Sequence, residues 1–171
     1  MAGVAATDWT WSSAFLDVDL DGWEDLLLTT GNFHDVQDID AQSRIIREGL
    51  WKTPEARQRA LALLPRRETP SMAFRNRRDL TFEDSGKRWG FDQSGFAHGM
   101  AFGDLDNDGD MDLIASAEDE GIIRWYENTN ILGTRVMLPH DLAAGVTGIK
   151  GLELADLDGD DDLDVVGAVS S

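Results

Sequence analysis

No cysteine occurs in this chain, which excludes a disulfide framework and any thiolate metal site. No apolar run approaches the roughly 18 residues that a membrane-spanning helix needs. The N-terminal Met-Ala-Gly-Val-Ala-Ala-Thr-Asp-Trp has neither the charged start nor the apolar length of a signal peptide. Positive charge is scarce: 15 Lys and Arg face 33 Asp and Glu, a formal net charge of −18, so a nucleic-acid partner is not expected. A Gly-rich phosphate cradle, a G-x-S-x-G elbow and a paired-histidine metal motif are all missing. What remains is a chain of 171 residues, 42% hydrophobic with six tryptophans, enough to build an ordinary domain with a sizeable core. It opens close to a strand and stops directly after an apolar run, so it is expected to be a piece of a longer protein.

The acidity is concentrated. Three nine-residue runs hold 16 of the 33 acids: Asp17-Val-Asp19-Leu-Asp21-Gly22-Trp23-Glu24-Asp25, Asp104-Leu-Asp106-Asn-Asp108-Gly109-Asp110-Met-Asp112 and Asp156-Leu-Asp158-Gly-Asp160-Asp161-Asp162-Leu-Asp164. The pattern is D-x-D-x-D-G-x-x-D, with Asp161 where the glycine should be. Convergent carboxylates repel by about 4 kcal/mol per pair at 4 Å and an effective dielectric near 20. A chain that accepts this three times is expected to hold a cation in each loop, and Ca²⁺, which takes six to eight oxygens in irregular geometry, fits best. The candidate ligands are the carboxylates at the first, third, fifth and ninth places: Asp17, Asp19, Asp21 and Asp25; Asp104, Asp106, Asp108 and Asp112; Asp156, Asp158, Asp160 and Asp164. Backbone carbonyls at the seventh place, on Trp23, Asp110 and Asp162, complete each set, for up to three Ca²⁺. The sixth place needs a positive φ, which suits Gly22 and Gly109 and makes the third site the weaker binder. An EF-hand is rejected because the twelfth places are Leu28, Ala115 and Gly167, not a bidentate acid.

Aligning the runs exposes a repeat. Ser13-Ala-Phe-Leu, Met100-Ala-Phe-Gly and Leu152-Glu-Leu-Ala precede the loops, and Leu26-Leu27-Leu28, Leu113-Ile114-Ala115 and Val165-Val166-Gly167 follow them. The unit is strand, metal loop, strand. The 52 residues between the second and third loops leave room for two more strands, Gly121–Glu127 and Thr134–Leu138, and four short strands per unit of this size make a propeller blade. The predicted fold is all-β, a partial β-propeller of about two and a half four-stranded blades. Residues 1–32 and 71–90 form the first blade, 91–140 the second, and 141–171 the opening strands of a third. Residues 33–70 are a basic helical insertion in the first blade, with a helix from Asp40 to about Glu48 ended by Gly49 and another started by Thr53-Pro54 and stopped at Pro65. The insertion is expected to lie against the acidic face of its own propeller.

These units resemble FG-GAP/VCBS repeats, the calcium-binding blades of integrin α-type propellers: Phe102-Gly103 fits the first half of that name and Val166-Gly167-Ala168 the second. Trp9-Thr-Trp11-Ser-Ser-Ala-Phe, Phe74-Arg75-Asn76 and Thr81-Phe82-Glu83-Asp84 are similar to the cartilage acidic protein-like family, which carries an ASPIC/UnbV C-terminal domain. The resemblance implies a propeller of about seven blades. It also implies an extracellular or periplasmic location and a role in adhesion or in binding protein or glycan ligands. This chain holds fewer blades than that, so open blade edges imply self-association.

A carbohydrate-active enzyme on a propeller scaffold, a lyase or hydrolase, is the alternative, and a gene fragment without independent function is a third reading. The enzyme needs His, Lys or Arg with an acid beside a sugar pocket. Only His34, His98 and His140 suit general base work near neutrality. His98 shares its place in the repeat with Trp11 and Lys150, each six residues before a first aspartate, which reads as a loosely constrained position. Those three residues around one cavity would favour the enzyme. Trp9, Trp11, Trp23, Trp89 and Trp125 read as packing between blades before they read as a sugar-stacking set.

Overall fold

The segments on either side of each aspartate run pair as antiparallel strands in the computed structural model, which describes residues 2–4, 7, 9–32, 34–67, 69–92, 97–117 and 121–170. Met1, Phe33 and Ser171, which bound expected segments, lie outside the described residues. The chain divides into two units, Met1–Gly31 with Thr69–Ser171, and Asn32–Glu68.

The first unit is mostly β. One four-stranded sheet has the order β1 (Thr10–Leu16), β2 (Asp25–Thr30), β3 (Met72–Asn76), β4 (Phe82–Asp84). A second has β5 (Met100–Gly103), β6 (Asp112–Ala117), β7 (Ile122–Ile131) and β8 (Thr134–Ala144), and a third pairs β9 (Ile149–Ala155) with β10 (Asp164–Val169). No sheet closes into a barrel among the described residues. The two-residue side-chain period decides how the sheets pack. Leu113 and Ala115 of β6 join Leu16, Leu27, Trp89, Phe91 and Tyr126 in a core shared with the first sheet. Ile114, between them, turns the other way and meets Ile149 and Leu152 of the third. A central strand apolar on both faces is what the unbroken Leu113-Ile114-Ala115 run encodes.

Three elements differ from the sequence expectation. β7 and β8 run to Ile131 and Ala144, well past Glu127 and Leu138. Buried Asn128 pairs with buried Met137, and Leu132-Gly133, both at positive φ, close a two-residue hairpin. The outer strand of the first sheet, which the alternation over Leu80–Glu83 leads one to expect from Leu80, starts at Phe82, because Leu80 sits at φ 68 in the preceding turn. A short helix α3 (Gly86–Trp89) follows it and buries Trp89. Of the tryptophans assigned to packing, Trp89 is buried, whereas Trp9, Trp11 and Trp23 are each nearly half exposed.

In the second unit, α1 (Ile39–Glu48) begins at Asp38, whose side chain accepts from the Ala41 N–H, and ends at Gly49 in the left-handed region. Thr53 caps α2 (Pro54–Leu61), with Pro54 in its first turn. This helix stops at Leu61, short of Pro65, yet Leu64 still packs with Ile45, Leu50 and Ala60 in a separate core.

Candidate metal centres

Strand register brings the ends of each aspartate run together. Leu16 pairs with Asp25, Gly103 with Asp112 and Ala155 with Asp164, so the residue before the first aspartate always faces the ninth. The first and ninth places are adjacent by construction, and the intervening chain must turn back between them.

Backbone N–H groups then hold the carboxylates. Asp17 accepts from Asp21 N–H at 2.9 Å and Gly22 N–H at 2.8 Å, and Asp104 accepts from Asp108 at 3.1 Å and Gly109 at 3.0 Å. Asp156 accepts from Asp161 at 3.2 Å, but its other oxygen takes Gly159 N–H at 2.7 Å. The fifth carboxylates, Asp21, Asp108 and Asp160, each accept from the residue two later, Trp23, Asp110 or Asp162. The ninth aspartate clasps the loop from below: Asp25 accepts from Val18, Asp112 from Leu105 and Asp164 from Leu157, at 3.0 to 3.1 Å.

A third strand completes the clasp in the first two repeats. Asn76 N–H donates to Asp25 and Asn128 N–H to Asp112, both at 2.8 Å. The matching signal is Phe74-Arg75-Asn76 against Tyr126-Glu127-Asn128, an aromatic two residues before an asparagine. Read as an outer strand and as a family resemblance, the first triplet gives no hint of this role in the sequence.

The turn itself needs two left-handed residues. Leu20 (φ 54) and Gly22 (φ 86), Asn107 (φ 60) and Gly109 (φ 93), and Gly159 (φ 82) and Asp161 (φ 70) occupy the fourth and sixth places. The third loop therefore keeps both left-handed places and moves its glycine from the sixth to the fourth. The cost assigned to Asp161 is offset by relief at Gly159.

The resulting clusters are not identical. One oxygen from each of Asp17, Asp19 and Asp25 lies within 4.8 Å of the others, as do Asp104, Asp106 and Asp108, and Asp156, Asp158 and Asp164. Asp21 is turned aside: Arg75 bonds Asp19 through Nε and Asp21 through Nη2 at 2.7 Å, and Arg78 Nη2 reaches Asp21 at 2.6 Å. Desolvation acts to raise the Asp21 pKa, but the bond and charge of Arg78, with Arg75 beside it, leave it lowered. Asp110 pairs with Arg135 through its side chain, and Asp162 accepts from Asn107 at 3.1 Å.

The oxygens fit a hard cation. Arg75 holds one oxygen of Asp19, while Asp19 Oδ1 is buried with no hydrogen-bond partner. A buried orphan acceptor costs about 1–3 kcal/mol, and more if charged, unless something positive meets it. Burial pushes Asp25 up to about 6, with the neighbouring charges of Asp19 and Asp21 acting in the same direction. Burial, with Asp106 adding to it, raises Asp112, and burial followed by the Asp108 charge raises Asp106. The all-oxygen donor set suits Ca²⁺ rather than a soft metal.

At the opposite end of the first strands, Trp11, His98 and Lys150 line one cavity of about 260 Å³, so the repeat position read as loosely constrained has a definite environment. His34 forms an isolated bridge to Arg66, and His140 Nε2 lies 2.7 Å from Glu127.

Residues 61–115 match a family model described as an FG-GAP-like repeat, spanning the end of the helical unit, β3 to β5, the second loop and most of β6. No curated protein matches the chain. No helix among the described residues is long and apolar enough to cross a membrane.

Proposed function

We propose that this chain is a calcium-binding β-propeller repeat module, of about two and a half blades, in which the metal is mainly structural. The observation that carries the reading is the threefold recurrence of convergent carboxylate oxygens in one strand context. The two four-stranded sheets, the two-stranded third and the FG-GAP-like match support the propeller part. Asp17, Asp19 and Asp25 would hold the ion in the first loop, with Arg75 bonded to Asp19 Oδ2. Asp104, Asp106 and Asp108 would hold it in the second, and Asp156, Asp158 and Asp164 in the third. Backbone carbonyls of Trp23, Asp110 and Asp162 are the remaining proposed ligands. A bound Ca²⁺ offsets the repulsion of each cage and ties a first strand to its second, so ion binding is folding free energy. The module serves, on this reading, as an extracellular surface for adhesion or for protein or glycan ligands.

Thermal melting in chelator tests this. The melting temperature is expected to fall and to be restored by Ca²⁺ better than by Mg²⁺, which dehydrates reluctantly. An unchanged curve after exhaustive chelation defeats the proposal. Calorimetric titration should give up to three ions per chain.

The cavity between Trp11, His98 and Lys150 favours a second reading, a carbohydrate-active site on the same scaffold. Its described lining holds a cation and an imidazole but no carboxylate, which suits holding an anion more than general acid–base cleavage.

A further inference from the structure

The third strands of the first two sheets carry opposite charges to the same place beside their loops. Phe74 faces Leu26 and Tyr126 faces Leu113, each partner being the residue after a ninth aspartate. Two residues on, Asn76 and Asn128 donate their backbone N–H groups to Asp25 and Asp112. Between aromatic and asparagine stands Arg75 in the first repeat and Glu127 in the second. One position in the repeat thus holds a guanidinium at one loop and a carboxylate at the other.

Arg75 reaches into its loop. Its Nε bonds the third-place Asp19 and its Nη2 the fifth-place Asp21 at 2.7 Å, while Arg78 Nη2 meets Asp21 at 2.6 Å. The side chains of Asp19 and Asp21 are only 14% and 13% exposed, so salt screens these pairs poorly. Held this way, Asp21 stays out of the oxygen cluster of Asp17, Asp19 and Asp25, whereas its counterpart Asp108 belongs to the second cluster. No Lys or Arg among the described residues pairs with Asp104, Asp106 or Asp108, and Arg135 takes the seventh-place Asp110, outside that cluster. Glu127 adds to the negative field there: behind burial and the Asp108 charge, its own charge acts on Asp106. Its carboxylate also lies 2.7 Å from His140 Nε2.

We infer that Arg75 and Glu127 set the cation affinity of the first and second loops in opposite directions, so that the second takes Ca²⁺ more tightly than the first. The inference rests on the proposal that these loops hold Ca²⁺. Arg75 weakens the first loop in two ways. A cation entering there is repelled by the guanidinium, and the fifth-place carboxylate is recovered only by breaking its bonds to Arg75 and Arg78. Glu127 attracts the same cation to the second loop without belonging to the ligand cluster. Neutralising one unit charge beside a divalent ion changes its affinity about tenfold, and reversing it about a hundredfold. The first loop therefore fills in a later phase than the second, which Asn107 ties to the third through Asp162.

Titration of Ca²⁺ into the metal-free full chain, following the Gly22 and Gly109 backbone N–H signals by NMR, reads the two loops separately. The Gly109 midpoint is expected at a Ca²⁺ concentration about tenfold or more below that of Gly22. Arg75→Gln should lower the Gly22 midpoint about tenfold and leave Gly109 in place, and Arg75→Lys, which keeps the charge, should move it far less. Glu127→Gln should raise the Gly109 midpoint about tenfold and leave Gly22 in place. Equal midpoints in the parent overturn the inference, as does a Gly22 midpoint that stays or rises in Arg75→Gln. A Gly109 midpoint that stays or falls in Glu127→Gln overturns it as well. The two variants lie in different sheets, so one still decides if the other fails to fold. If neither signal moves at any Ca²⁺ concentration, the metal reading falls and this inference with it; if both move together in every variant, only this inference falls.

Discussion

At the scale of single residues, the loops are governed by backbone conformation as much as by charge. Gly109 sits at φ 93 with nothing within 4 Å of an added Cβ, so Gly109→Ala introduces backbone strain without a clash. It should cost about 1–2 kcal/mol, read as a lower urea midpoint at unchanged slope. The converse change, Asp161→Gly, relieves φ 70 and should stabilise by somewhat less, because Asp tolerates that region better than most residues. The same denaturation series measures both. The aspartate pattern was legible because ligand spacing within a loop is local. The compensation at Gly159 was not, since attention to the sixth place alone hides a turn that uses two left-handed residues. Arg75 and Arg78 were equally hidden: they reach Asp19 and Asp21 from more than fifty positions away, across a strand pairing that no local pattern displays.

At the scale of elements, the third strand of a sheet acts as the outer wall of a loop. Asn128 is fully buried, gives its backbone N–H to Asp112 and donates Nδ2 to the Val18 carbonyl at 3.1 Å. Asn128→Ala leaves the first bond and removes the second, so it should cost about 1–3 kcal/mol by stranding a buried carbonyl. Chemical denaturation checks it. In the helical unit, Thr53→Ala removes the cap on the Ala56 N–H and should cost about 1 kcal/mol, visible as lost helical ellipticity. The start of α2 was legible from Thr53 and Pro54, because a cap is written within four residues; α1 was expected from Asp40, one residue late, and its Asp38 cap was not read. The length of β7 and β8 was not: Asn128, Thr129 and Asn130 read as a loop until Met137 is seen facing Asn128. Exposure of Trp9, Trp11 and Trp23 was likewise invisible, since an aromatic in sequence does not say which neighbour reaches it.

At the scale of the whole molecule, the repeat is what sequence displays best and its surroundings worst. Three aligned runs announce three hairpins, yet the gathering of Trp11, His98 and Lys150 depends on a backbone approach at Gly99. Among the described residues, β4, β8 and β10 each pair on one side only. Such edges template further strands, so light scattering is expected to show self-association that grows with concentration. A monomer at every concentration would refute that. Finally, two amides cross from one repeat to the next: Asn128 reaches back to Val18 in the first loop, and Asn107 reaches forward to Asp162 in the third. On the proposed reading, filling one cage would bias the shape of its neighbour, and by reciprocity the neighbour would bias it in return. Ion uptake should accordingly be sigmoidal, with a Hill coefficient above one that drops towards one in Asn107→Ala.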